Sequence, residues 1–271
     1  MICQLYLNKP LLIDGFKFDL RVYTLITSTD PLRVFVYNEG LARFATSKYR
    51  EPSDFNTNNM FMHLTNYSVN KHSRMYSTDD EIGTKRKIST LNRILATEGF
   101  DVAELWSNID DVIIKTILSA LPMLKHNYNA SFPSHDMVQA CFEILGMDIM
   151  IDSKMKPFIL EVNHSPSFHT SEQVDKEVKE ALIRDTFLLL NLSQDIRKKV
   201  TNRNNFTIHS VIYIRILFHR FLMKIDVVFV IDYYNELRIA RMQITIMQLK
   251  MYLLINNLKF IWIGNIIGNN K

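Results

Sequence analysis

The chain has 271 residues, 47% hydrophobic and 22% charged, which excludes wholesale disorder and points to one large domain, or part of a two-domain enzyme, around a real core. Two cysteines, Cys3 and Cys141, exclude a disulfide framework and a paired-cysteine zinc module, so a reducing, cytosolic compartment is expected. The net charge of +4 belongs to the tail: residues from Asn202 onward carry a surplus of six positive charges and the rest a net −2, which gives no reason to expect nucleic acid as a partner.

In chain order, Leu11 to Thr27 reads as a strand, with Phe16, Phe18, Leu20 and Val22 on one face and Lys17, Asp19 and Arg21 on the other. Arg33 to Tyr37, the turn Asn38-Glu39-Gly40 and Leu41 to Ala45 read as strand, turn and strand. Helices are predicted over Ser89–Thr97 and Ile109–Leu121, the second with Val112, Ile113 and Leu118 on a broad apolar face. Phe142 to Ile151 and Pro157 to Asn163 make a second hairpin, and Val174 to Leu192 a last helix with Val174, Val178 and Leu182 at helical spacing. The fold class expected is α+β, an antiparallel sheet with packed helices.

Punctuation then stops. All seven prolines lie at or before Pro166, and no glycine occurs between Gly146 and Gly264. Residues 203–271 are rich in Ile and Asn without turn chemistry or a sustained period, and are expected to be an appended tail rather than a native domain; the alternative is a helical extension packed on the core. The apolar run Val211 to Val230 is broken by Arg215, His219, Arg220, Lys224 and Asp226, and no signal peptide opens the chain, so no membrane partner is expected.

The late hairpin carries chemistry. With Ser153 to Lys156 as the loop, Asp152 faces Pro157, and counting back places Asp148 opposite Glu161, with Asn163 on the same face. Facing carboxylates need a cation between them or solvent over them. A magnesium site of hard oxygen ligands and a solvated acidic face both satisfy that. Lys17, Asp19 and Arg21, with Arg43 on a later strand, could hold phosphates or a carboxylate, or could form an exposed charged face. The run His63 to Ser68 reads as a loop, and Lys85-Arg86-Lys87 as a solvated basic triplet. There is no glycine-rich phosphate loop, Walker lysine, His-Glu-x-x-His or nucleophile elbow.

Five separated stretches, Pro10 to Arg21 (PLLIDGFKFDLR), Gly40 to Ala45 (GLARFA), His63 to Tyr67 (HLTNY), Lys85 to Thr90 (KRKIST) and Glu161 to Phe168 (EVNHSPSF), resemble the tubulin tyrosine ligase-like family in order and spacing. The Asn-His-Ser-Pro-Ser-Phe segment is similar to the branch that polyglutamylates tubulin. The resemblance covers about Cys3 to Lys199 and implies that residues 1–202 are the C-terminal part of an ATP-grasp catalytic domain. It implies ATP and Mg2+ as cofactors. As partners it implies free L-glutamate and the acidic tails of tubulin in microtubules.

Carried over by position, the resemblance makes Gln4, Leu5, Tyr6 and Leu7 an adenine-side hinge, and Lys17, Phe18, Asp19, Thr65 and Asn66 nucleotide contacts. Arg21 and Arg43 would be catalytic, near the transferred phosphoryl group, with Arg43 also at the amino acid carboxylate. Tyr67, Ser68, Lys85, Lys87 and His164 would contact substrate, and Asp148, Glu161 and Asn163 would ligate metal. The expected reaction activates an acceptor carboxylate as an acylphosphate, which the glutamate amine attacks. The expected protein is a monomer in the cytoplasm and cytoskeleton, at a cilium or basal body. The family's catalytic unit begins before this Met1 with another ATP lysine, so this chain is expected to be impaired. A non-catalytic microtubule-binding relative, and a glycylase or tyrosine ligase of the same fold, are the alternatives.

Overall fold

The computed structural model describes residues 4–79, 81–131, 141–190 and 260–264. Its centre is an antiparallel sheet in the order β4-β3-β2-β5-β6, comprising β2 (Phe16–Thr29), β3 (Leu32–Phe44), β4 (Lys85–Lys87), β5 (Glu143–Ile151) and β6 (Pro157–Asn163). A short β1 (Leu12–Ile13) pairs with β2, and β7 (Phe260–Gly264) pairs with β3 beyond the stretch that β4 covers. Helical turns α1 (Met60–His63) and α2 (Tyr67–Asn70) precede β4; α3 (Ile88–Thr97), α4 (Val102–Ser131) and α5 (Gln173–Leu190) are longer. The α+β expectation holds. Among the described residues no helix is long and apolar enough to cross a membrane.

The sheet is covered on both faces, and each face has its own core. Phe18, Leu20 and Val22 of β2 join Leu91, Leu95, Ile109 and Ile113 of α3 and α4 in the larger one. On the other face Tyr23 and Leu25 of β2, with Phe35, Tyr37 and Leu41 of β3, pack against Val174, Val178 and Leu182 of α5. Successive strand residues alternate sides, so the charged residues of β2 lie on the α5 side, beside this smaller core.

Four expectations need correction. The strand expected over Leu11–Thr27 is divided: Ile13 pairs with Phe16, and Asp14 and Gly15 take positive φ values of 53° and 80° in a two-residue hairpin turn. Asp-Gly is a strong signal for that turn, and alternation alone does not see it. The turn expected at Asn38-Glu39-Gly40 is a bulge in the continuous β3, where the pairing shifts between Val22↔Gly40 and Thr24↔Val36. Gly40 is there for close approach: a Cβ would lie 2.4 Å from the Arg21 carbonyl oxygen and 2.7 Å from Ile88 Cδ1.

The helix expected to stop at Leu121 runs on to Ser131 through Pro122. Its buried Ala120, Leu121, Leu124 and Tyr128 supply tertiary packing that outweighs the missing N–H. Lys85-Arg86-Lys87 is a strand rather than solvated surface, and Arg86 lies with its guanidinium 4.0 Å from the Phe44 ring centroid. In the tail, β7 is the described part; the rest of 203–271 lies outside the described residues, as do positions 191–192 of the last predicted helix.

Candidate active site

Strand register assembles the site. β3 sets Arg43 opposite Asp19, β4 sets Lys85 opposite Arg43, β5 sets Asp148 opposite Arg21, and β6 sets Glu161 opposite Asp148. Five strands thus bring six charged side chains to one face. This is no exposed charged surface, because Lys17 and Asp19 are 3% exposed, Asp148 4% and Lys85 6%.

Burial at that level demands partners. Arg21 Nε and Nη2 donate to the two oxygens of Asp148 at 2.5 and 3.0 Å, a fork onto a carboxylate. Arg43 bridges the two acids, donating from Nε and Nη2 to Asp19 at 2.7 Å each, with Nη2 also 2.8 Å from Asp148 Oδ2. Thr65 Oγ1 donates to Asp19 Oδ2 at 2.6 Å. For Asp148 burial works to raise the pKa, but Arg21 and Arg43 together hold it below the usual carboxylate range. Arg43 is raised because Asp19 and Asp148 outweigh its own burial.

Lys17 closes one end of the row. Its Nζ donates to the His63 carbonyl at 2.7 Å and to Tyr6 Oη at 3.1 Å, and sits 4.5 Å from the Tyr6 ring centroid. Burial lowers its pKa to about 8, with Asp19 opposing. His63 Nε2 lies 3.1 Å from the Asn56 carbonyl, which can only accept, and Nδ1 lies 2.8 Å from the Tyr6 hydroxyl; in the tautomer that donates from Nε2, Nδ1 accepts from Tyr6.

Lys85 closes the other end. Its Nζ reaches Asp175 Oδ2 at 2.6 Å and Glu172 Oε1 at 3.2 Å, and lies 4.3 Å from the Tyr67 ring centroid. Lys87 pairs with Glu177 of α5. The remaining expected residues are more dispersed. Gln4, Leu5, Asn66 and Ser68 are exposed, as is Tyr67 in part, and Leu7 and His164 are half-buried. The Phe18 side chain is buried in the opposite core with its ring 5.2 Å from Phe44, so only its backbone can meet a ligand on the charged face.

Residues 1–201 match the tubulin-tyrosine ligase family. The chain belongs to that family. It is 60% identical over 200 residues to tubulin polyglutamylase TTLL6 of Mus musculus, covering 74% of this chain and 24% of that protein. Tubulin polyglutamylase TTLL13 of Homo sapiens is 57% identical over 202 residues, 74% of this chain and 25% of its own. Tubulin polyglutamylase TTLL7 of Xenopus tropicalis is 42% identical over 203 residues, 73% and 22% respectively. The chain therefore spans about a quarter of the length of the curated relatives it matches.

In this family member the expected metal ligands suit a hard cation in kind: two carboxylates, Asp148 and Glu161, and an amide, Asn163, on adjacent strands. Asn163 Nδ2 donates to the Gly146 carbonyl at 3.3 Å, which leaves its oxygen as the end to ligate. Asp148 would share its charge between a metal and two guanidinium groups. Among the described residues no three His, Cys, Asp or Glu side chains cluster as a metal site.

Several participants escaped the sequence reading: the imidazole of His63, the phenol of Tyr76, and Glu172, Asp175 and Lys179 around α5. Tyr76 Oη donates to Glu172 Oε1 at 2.5 Å, and Lys179 Nζ reaches Asp175 at 2.8 Å and the His169 carbonyl at 2.6 Å. The available signal was Asp175 and Lys179 standing next to Val174 and Val178 in the apolar stripe of a helix.

Proposed function

We propose that this chain belongs to an ATP-dependent ligase that adds glutamate to glutamate side chains, or to chains already begun, on the acidic C-terminal tails of tubulin. The observation that carries the reading is the convergence of Arg21 and Arg43 on Asp148, itself opposite Glu161, on a buried sheet face. The relatives' names, all tubulin polyglutamylases, support glutamate as donor and tubulin as acceptor. A microtubule setting, in the cytoskeleton and at a cilium or basal body, goes with that substrate.

In this reaction an oxygen of the acceptor carboxylate takes the γ-phosphoryl group of ATP and ADP leaves, giving an acylphosphate; the amine of free glutamate attacks the acyl carbon, and phosphate leaves as the amide forms and the nitrogen gives up its proton. Magnesium held by Asp148, Glu161 and the Asn163 oxygen would neutralise phosphate charge. The chain's own part is electrostatic. Lys17 with Thr65 and Asp19 would fix the nucleotide end. Arg21 and Arg43, already locked in rotamer by Asp19 and Asp148, would offer fixed N–H donors where charge develops, with little reorganisation. Tyr67, Lys85 and His164 would face the amino acid.

Two measurements test the proposal. ATP with Mg2+ is expected to raise the melting temperature of the chain and not of Glu161→Gln. Any ATP-dependent incorporation of labelled glutamate into purified tubulin is expected to fall at least about tenfold in that variant. Microtubule binding with no ATP response would favour a non-catalytic relative. Glycine or tyrosine outcompeting glutamate as donor would replace the donor.

A further inference from the structure

Two segments wall the donor side of the site, and the function just proposed leaves their junction unused. One, residues 67–79, begins with Tyr67 and Ser68 and precedes β4. The other, residues 164–172, leaves β6 just after Glu161 and Asn163 and leads into α5. They meet at Glu172, whose largely buried side chain accepts from the Tyr76 hydroxyl at 2.5 Å and from Lys85 Nζ at 3.2 Å, both at Oε1. Its Oε2 is buried without a hydrogen-bond partner among the described residues, so the carboxylate is held entirely by that one oxygen.

Other contacts show what the junction orients. Lys85 lies 4.3 Å from the Tyr67 ring centroid, and the Tyr67 and Tyr76 rings meet edge-to-face at 6.0 Å. The second segment is tied again where Lys179 Nζ takes the His169 carbonyl at 2.6 Å, and Pro166 is packed so closely that a Cβ on Gly146 would lie 3.1 Å from it. Burial, and then the Glu172 carboxylate, push the Tyr76 phenol well above its ordinary pKa, so it remains a donor throughout the working pH range.

We propose that Glu172 is a positioning residue for the amino acid side of the site: with Tyr76 it clamps residues 164–172 onto residues 67–79 and so fixes Lys85 against Tyr67 and fixes the backbone that carries His164. The inference rests on the reading that these three residues face the donor amino acid. It assigns to Glu172 no contact with substrate.

Amide hydrogen exchange on the chain tests the clamp without activity. Tyr76→Phe removes one hydroxyl, and exchange in 164–172 is expected to rise about tenfold, the effect of losing one charge-assisted hydrogen bond. Glu172→Gln keeps an acceptor oxygen for Tyr76 and is expected to retain more protection than Glu172→Ala. Exchange in 164–172 unchanged in both Tyr76→Phe and Glu172→Ala overturns the proposal, whatever the enzyme does. Where glutamate incorporation is measurable, Tyr76→Phe is expected to raise KM for glutamate more than it lowers kcat; an unchanged KM reduces the clamp to a structural tie and overturns the positioning role. A clamp confirmed by exchange in a protein whose melting temperature ATP with Mg2+ leaves unchanged would instead sink the ligase reading.

Discussion

Asp148 and Glu161 stand directly opposite each other across β5 and β6, although the turn joining those strands is one residue out of the register that this pairing needs. Next to the turn Ile151 pairs with Pro157, Met150 with Phe158 and Ile149 with Ile159; Leu160 is then an extra residue, and Asp148 meets Glu161. The loop is accordingly shorter than expected. Asp152 N donates to the Lys156 carbonyl at 3.0 Å, Asp152 Oδ1 accepts from the amides of Lys154 and Lys156, and Met155 takes a left-handed φ of 64°. The expected facing of Asp152 with Pro157 is off by one residue, and the bulge at Leu160 cancels that offset before Asp148 and Glu161 are reached.

The two acids are not equivalent, and substitution will separate them. Asp148 is buried between two guanidinium groups, so Asp148→Asn should destabilise the fold by about 3–5 kcal/mol in urea denaturation, the effect of removing one member of a buried ion network. Glu161 is exposed, and Glu161→Gln should stay within ~0.5 kcal/mol while removing the metal response. Equal losses of stability in the two variants would contradict this division.

Asp148 also sets an acid limit. Its folded pKa is lowered, so its stabilisation is complete above the unfolded value and is lost as pH falls through the folded one, below about pH 4. The slope of stability against pH in that window should flatten in Asp148→Asn. An unchanged slope would assign acid unfolding to other carboxylates.

Lys17 works at the opposite end of the pH scale. Its folded pKa of about 8 lies below the ordinary 10.5, so between those values the unfolded chain binds more protons than the folded one. Stability should therefore rise with pH across that window, as the penalty for burying the charged amine is relieved, and Lys17→Met should abolish the rise. ATP binding would favour the charged amine and should take up a proton near pH 8, measurable by calorimetry in buffers of different ionisation enthalpy. Binding without proton uptake would place Lys17 away from the phosphates.

These cases show what the sequence could carry. Strand alternation put Lys17, Asp19 and Arg21 on one face and Asp148 with Glu161 on another strand pair, because the period of two is local. It could not say that the charged face is buried, since its cover comes from distant parts of the chain: His63 and Thr65 beside Lys17 and Asp19, and α5 at Lys85. Glu172 and Tyr76 were silent for the same reason: they are 96 positions apart, and nothing local marks either as a partner. Gly40 reads as a turn residue in the sequence because turn chemistry and close approach call for the same residue.

Gly40 therefore makes a direct test. Gly40→Ala would drive a methyl group into the Arg21 carbonyl, a backbone atom that cannot swing aside, and into the fully buried Ile88. A loss of about 1–3 kcal/mol or more is expected, visible as a lower melting temperature. Gly99, with nothing within 4 Å of its would-be Cβ, is the control: Gly99→Ala carries only the strain of its φ of 88°. Equal effects would mean that the bulge relaxes around the methyl group.

The last prediction concerns the cover over Lys17. Burial is the largest cause of its low pKa, and the Tyr6 ring, 4.5 Å away and itself 39% exposed, is the part of that cover nearest to solvent. Tyr6→Ala should admit water and return the Lys17 midpoint toward 10.5, followed by the NMR signal of its ε-methylene. Tyr6→Phe keeps the ring and should hold the midpoint near 8 while releasing His63 Nδ1 from its hydroxyl partner. The same midpoint in all three proteins would mean that the sheet, not the Tyr6 segment, dries the amine. A rise in Tyr6→Phe as large as in Tyr6→Ala would trace the effect to the hydroxyl chain from Lys17 to His63.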